Sequence, residues 1–225
     1  MPLPTEKYSA SGAPSKEEIT EKIREWIVTA QFAPGEKIAD TDIASYFSVS
    51  RTPVREVLKK LEQQKLIVTY PGKATVVAEL PTGNIGELYI PMRTLQCLAV
   101  RLAVGNVGDG DVDRLIELNE DFYVKLQNRG ENPYDTLIAD REFHRRIEEM
   151  SDNCYVRDFC DALWTHVARL DYLFFRDTEM MDSYNEHLEM INAVRLRDPF
   201  GAELAMQKNW TNSMLGIQAL TEQKD

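Results

Sequence analysis

Apolar residues recur along this chain almost everywhere at helical spacing, and two short β-branched runs are the exception. Ile19, Ile23, Trp26, Ile27 and Ala30 place one apolar face on a helix opened by Ser15-Lys16-Glu17-Glu18, which has the form of a capping box. Pro34-Gly35 ends that element. Asp40 to Phe47 reads as a short capped helix and Ser48-Val49 as a turn. Val54, Val57, Leu58 and Leu61 then recur at i, i+3, i+4 and i+7, the buried stripe of a helix that begins near Arg51 with Ser50 as N-cap and Pro53 in its first turn. Leu66-Ile67-Val68-Thr69-Tyr70 and Lys73-Ala74-Thr75-Val76-Val77 flank Pro71-Gly72 and predict a hairpin. Helix, turn, helix and hairpin make a winged helix-turn-helix.

Leu80-Pro81-Thr82-Gly83-Asn84 interrupts all periodicity and reads as a linker. From Ile85 onward only helical spacing remains, and six helices fit, at roughly 85–104, 110–128, 133–150, 153–175, 181–197 and 199–222, with Pro133 and Pro199 as first-turn prolines. The expected fold is mainly α: an N-terminal winged helix-turn-helix over 15–79 with a small β-hairpin wing, and a C-terminal all-α bundle over 85–225. Residues 1–14, aperiodic and rich in Pro, Ser, Gly and Ala, predict a disordered tail.

Charge sharpens the division. The chain of 225 residues carries a net −11, yet residues 15–79 hold ten Lys/Arg against ten Asp/Glu, so the acidic excess belongs to the bundle. Between Arg51 and Lys73 six Lys/Arg face two Asp/Glu, a local +4 of the kind that phosphate contact requires. Arg51 and Arg55 share a helix face with Thr52 beside them, at the end where a recognition helix meets base edges. A plain solvated basic face is the alternative reading of the same residues. A hydrophobic content of 43% is enough for two cores. Cys97, Cys154 and Cys160 form neither a disulfide framework nor a metal knuckle, and no apolar run reaches the roughly 18 residues of a membrane span, so the cytoplasm is the expected location.

One constellation in the bundle has metal-binding chemistry. Asp140 and His144 are i and i+4 on one helix, and His187 lies on another. A carboxylate and two imidazoles from facing helices suit a borderline divalent ion such as zinc, although chance placement on helix faces gives the same spacing. His166, without a partner one turn away, reads as a pocket or core histidine, and Arg169 beside it as a carboxylate clamp candidate.

Several of these motifs together resemble a known family. Phe32-Ala33-Pro34-Gly35-Glu36-Lys37-Ile38, Asp42-Ile43-Ala44 and Val49-Ser50-Arg51-Thr52-Pro53-Val54-Arg55-Glu56-Val57-Leu58 look like the reader domain of GntR-type bacterial transcription factors. The resemblance implies that Arg51, Thr52 and Arg55 contact operator bases and phosphates, and that Gly72 and Lys73 of the wing reach the minor groove. Ala74 stands where many members have a second wing glycine. Asp140-x-x-Phe143-His144, Asn153, Glu186-His187-x-x-Met190-Ile191 and Ala205-Met206 look like the FCD ligand-binding domain of the FadR branch. That implies a metal held by an aspartate and three histidines in a pocket for a small carboxylate. Asp140, His144 and His187 match three of the four, and the fourth position is Asn209, whose amide oxygen favours harder ions. Met92-Arg93-Thr94-Leu95-Gln96 stands where members carry Arg-x-x-Leu-Glu, which makes Arg93 a displaced candidate for the effector carboxylate. The implied protein is a metabolite-responsive regulator, a repressor by family habit, that binds double-stranded operator DNA as a homodimer. A metal-free sensor of a larger apolar ligand and a metal-dependent enzyme remain the alternatives.

Overall fold

The computed structural model describes residues 3, 8, 13–70, 72, 74–80, 83–128, 132–177 and 181–222, the backbone alone for 173–177, 181, 221 and 222. The chain divides into two compact units, Met1–Leu80 and Pro81–Asp225.

The first unit is built as its periodicity requires. Helix α1 (Lys16–Val28) starts in a complete capping box: the Ser15 hydroxyl accepts from the Glu18 N–H and the Glu18 carboxylate accepts from the Ser15 N–H. It ends before Ala30, which the spacing had placed on the helix face and which instead turns the chain with φ 55°. Strand β1 (Lys37–Ile38) follows, a two-residue element too short to have a sequence signature. Helix α2 (Asp40–Phe47) has Ala39 at its N-cap with no side-chain hydrogen bond, so the expected capped helix has no side-chain cap at its start. Ser48 takes a left-handed conformation, φ 54°, and reverses the chain into helix α3 (Arg51–Gln63). Ser50 stands at the N-cap of α3 with suitable backbone angles, but its hydroxyl makes no capping bond.

Strands β2 (Ile67–Tyr70) and β3 (Ala74–Val77) form the expected hairpin, and β1 adds to its free edge, giving the antiparallel order β1-β3-β2. Gly72 in the hairpin turn has φ +71°, which glycine adopts without strain. Gly35 has φ +73°, and a Cβ there would lie 2.7 Å from Glu79 Oε1, so that turn too depends on glycine. The core holds Ile19, Ile23, Trp26, Phe32, Ile43, Phe47, Val54 and Leu61, each almost fully buried. Leu3 and Tyr8, in the segment expected to be a disordered tail, pack against this core, with the Tyr8 ring 5.2 Å from that of Phe47.

The second unit is the expected helical bundle: α4 (Gly86–Asn106), α5 (Asp111–Gln127), α6 (Pro133–Met150), α7 (Cys154–Asp177), α8 (Met181–Arg195) and α9 (Pro199–Glu222). Its core includes Tyr89, Met92, Val100, Leu115, Phe122, Leu137, Phe143, Ile147 and Met206. A buried ion pair runs through it: Arg141 donates to both carboxylate oxygens of Glu148 at 2.5 and 3.0 Å and to Asp161 at 2.7 Å. Removing one partner of such a pair leaves an uncompensated buried charge, which is strongly destabilising. Among the described residues no helix is long and apolar enough to cross a membrane.

Candidate functional site

The bundle brings Asp140, His144 and His187 together. Their ligand atoms all lie within 4.8 Å of one another. Asp140 and His144 project from one face of α6 as i and i+4, and His187 faces them from α8. His187 Nε2 is 3.5 Å from Asp140 Oδ1 and His144 Nε2 is 4.0 Å from Asp140 Oδ2. Both rings are packed in place. Phe143 stacks on His187 at 3.9 Å with 13° between planes, and Trp210 lies 5.4 Å from His144.

Hydrogen bonding decides which nitrogen His187 turns to the cluster. Asn119 Nδ2 donates to the Tyr184 carbonyl at 3.3 Å, so its Oδ1 is the atom left to accept from His187 Nδ1 at 2.9 Å. Nε2 therefore carries the lone pair beside Asp140, the arrangement that fixes an imidazole for a metal. It is buried and has no hydrogen-bond partner, and His144 Nδ1 is in the same condition. Burial pushes the His144 imidazole down to about 3, helped by Arg141 and opposed by a hydrogen bond with Asn209, and burial followed by His144 holds His187 well below its ordinary value. Both are neutral at physiological pH. The same burial, with Asp171 and Glu186 nearby, raises the Asp140 carboxyl well above the carboxylate range. At His187 the orphaned nitrogen is the one beside Asp140, while at His144 the orphan is Nδ1 and the nitrogen measured against Asp140 is Nε2; two neutral imidazoles and a carboxyl this close are a donor set of the kind that can hold a divalent cation.

Asn209 is buried on α9, as the resemblance placed it. Its Nδ2 donates to Glu186 Oε2 at 3.0 Å, while Glu186 Oε1 accepts from Asn212. A carboxylate accepts only, so the amide nitrogen must face Glu186 and the oxygen is left for His144. Arg93 is half-buried and donates to Thr211 Oγ1 at 3.1 Å, tying α4 to α9. On α7, Arg169 is buried and His166 half-buried.

The periodicity left several groups of this region unread. Asn119 occupies an otherwise apolar stripe with Leu115, Leu118, Phe122 and Leu126, and an amide there was the only signal it gave. Asp171 is fully buried, takes a hydrogen bond from the Tyr89 hydroxyl and is pushed up to about 7 by burial. A carboxyl between Leu170 and Tyr172 was the corresponding hint.

In the first unit, α3 presents Arg51, Thr52, Arg55 and Lys59 to solvent on the face opposite its buried stripe. A cleft of about 410 Å³ separates this face from the hairpin, lined by Asp40, Arg51, Arg55, Lys59, Glu62, Thr69 and Thr75 among others. Gly72 lies at the hairpin tip, and Lys73 falls outside the described residues.

An exposed arginine-bearing helix beside a wing, followed by a helical bundle with a buried donor cluster, defines a winged-helix transcription regulator with a sensing domain. Comparison with known proteins specifies the family. Residues 15–77 match the model of bacterial regulatory proteins of the gntR family, and residues 87–212 match the FCD domain. The chain belongs to the FCD-containing gntR-family regulators, which bind operator DNA and small-molecule effectors. The Nta operon transcriptional regulator of Aminobacter aminovorans is 32% identical over 78% of this chain and 82% of its own. The HTH-type transcriptional repressor NanR of Cronobacter sakazakii is 26% identical over 92% of this chain and 87% of its own. Among solved structures, E. coli McbR/YncC superposes with a TM-score of 0.79 over 93% of this chain and 97% of its own at 20% identity, a likeness of fold. The family and these relatives are regulators, which removes the metal-dependent enzyme from consideration.

Proposed function

We propose that this protein is a cytoplasmic repressor that binds a two-fold operator as a homodimer and leaves it when a small organic acid occupies a divalent-metal site in the bundle. The observation that carries the reading is the Asp140–His144–His187 cluster with its orphaned His187 Nε2. Asp140, His144 and His187 hold the ion, with zinc the first choice for a carboxylate and two imidazoles, and Asn209 offers an amide oxygen beside them. The bound ion supplies a Lewis-acidic position for an effector carboxylate. Arg169, Arg93 and His166 are the side chains assigned to the effector itself. Arg51, Thr52 and Arg55 read the operator, with Gly72 and Lys73 in the wing. One recognition helix provides too few contacts for typical operator affinity, and a two-fold dimer doubles them. Repressors among the relatives support the sign of control.

The test is metal content and affinity of the parent and of His187→Ala, followed by operator binding with a panel of organic acids before and after chelation. The reading expects copurified metal in the parent, little in the variant, and acid-dependent release of DNA that chelation abolishes. A chelated protein that still responds to a ligand, or a parent that takes up no metal, makes it a metal-free sensor instead.

A further inference from the structure

Asp40 is the first residue of α2, where the helix N-terminus favours a negative charge, yet it caps nothing. Its carboxylate gathers the two arginines of the reading face. Arg51 donates through Nη2 to Asp40 Oδ1 at 2.9 Å and to Oδ2 at 3.0 Å, with Nε 3.3 Å from Oδ2. Arg55 donates through Nε to the same Oδ2 at 2.6 Å. The side chain of Asp40 is 19% exposed, against 52% for Arg51 and 65% for Arg55, so the carboxylate lies behind and the guanidinium groups in front. None of these bonds uses Nη1 of Arg51, or either Nη of Arg55, so donors remain for a ligand on the outer side. All three residues line the cleft between α3 and the wing.

An exposed arginine has several freely rotating bonds, and ordering it on a base edge loses that freedom. A carboxylate that already holds its Nε edge removes much of the loss and fixes the plane of the fork, on which two-point recognition of a base depends. The same carboxylate takes one positive charge out of the balance toward phosphate, which weakens sequence-independent attraction. Both effects favour discrimination over raw affinity.

We infer that Asp40 is a positioning residue for operator recognition, holding Arg51 and Arg55 as a paired fork that reads base edges and lowering attraction to unrelated DNA. The inference rests on the proposed reading role of the two arginines.

The experiment uses full-length protein, a duplex enriched by the parent from a random pool, and an unrelated duplex of the same length at matched salt. Parent, Asp40→Asn, Asp40→Glu, Arg51→Ala and Arg55→Ala are compared, with a thermal melt of each. Asp40→Asn is expected to bind the unrelated duplex more tightly and to lose roughly tenfold or more in the ratio of specific to unrelated binding, the scale of one good bidentate contact. Asp40→Glu retains the charge but displaces the oxygens, so its ratio falls without a gain on unrelated DNA. If Asp40→Asn and Asp40→Glu keep the parent's ratio while the arginine variants lose it, Asp40 positions nothing and the inference fails alone. A Asp40→Asn variant that binds both duplexes more tightly by the same factor makes Asp40 a competitor of DNA and also overturns it. If neither arginine variant alters the ratio, the recognition reading falls and takes the inference with it.

Discussion

A buried imidazole whose lone pair meets no donor is a standing cost to the fold, of about 1–3 kcal/mol for an unsatisfied polar group. His187 bears it at the cluster while Asn119 fixes its other nitrogen. Asn119→Ala should therefore lower metal affinity roughly 10- to 100-fold without removing a ligand, the usual effect of losing such an orienting bond; equilibrium dialysis against zinc measures it, and an unchanged affinity would show that packing by Phe143 alone fixes the ring. Asn209→His should tighten the site, because imidazole is the better zinc donor. The thiols give an independent check on burial. Burial and Glu203 push Cys97 up to about 11, Cys160 is fully buried and raised further, and Cys154 is exposed. A thiol raised to about 11 has about a hundredfold less thiolate at pH 8 than one at its ordinary value, and the thiolate is the nucleophile. Iodoacetamide should label Cys154 alone in the native protein and all three residues in denaturant, as read by intact mass. The sequence exposed Asp140, His144 and His187 because spacing on helices is visible in one dimension. Asn119, Asp171 and Tyr89 were illegible because their importance arises from helices that meet only on folding.

Elements were more legible than the bonds at their ends. Apolar spacing, with caps and breakers, located the helices from α2 to α9 within about three residues, since a stripe of three or four buried side chains tolerates no other phase, whereas the first helix, expected to run on to Pro34-Gly35, stops at Val28. Caps are decided by one rotamer, and there the pattern was less informative. Ser15 and Ser50 stand at the N-caps of helices of equal length, but the third residue after Ser50 is Pro53, which has no N–H to donate, and only the Ser15 hydroxyl bonds into its helix. Ser15→Ala should destabilise the first unit by roughly 1 kcal/mol, whereas Ser50→Ala should leave its stability nearly unchanged. Urea denaturation followed through the buried Trp26 distinguishes them, and equal losses would mean that the Ser50 hydroxyl caps α3 in solution. Strand β1 escaped the sequence for a different reason. Two residues carry no alternation, and their pairing with Val76 and Thr75 depends on the turn at Gly35.

At the scale of the whole molecule the question is what the outer surface of the bundle is for. Helices α4 and α9 pack antiparallel, with Arg93 bonded to Thr211 and Arg101 paired with Glu203. On their outward sides this pair exposes Ile90 and Leu98 from α4 and Phe200, Leu204 and Leu215 from α9, with Phe200 84% exposed and Leu204 67%. Scattered apolar residues on a surface need no explanation, but five large ones on one helix pair suit a dimer interface, where buried apolar area supplies most of the association energy. The acidic excess of the bundle disfavours DNA as the occupant of that face. Leu204→Glu would place a charge in each copy of a two-fold contact, doubled by symmetry, and burying it unpaired costs several kcal/mol. The variant should run as a monomer in sedimentation at micromolar concentration with its helix content and metal affinity intact. Its operator affinity should fall toward that of a single reader, because linkage of two half-sites is what converts two weak contacts into one tight one. Residues 15–79 alone should show the same weak binding while remaining folded. A Leu204→Glu protein that stays dimeric would move the interface to another face, such as that of Tyr155 and Phe159 on α7, which are also exposed. One that is monomeric yet binds the operator like the parent would mean that a single reader suffices, and the two-fold operator would have to be given up.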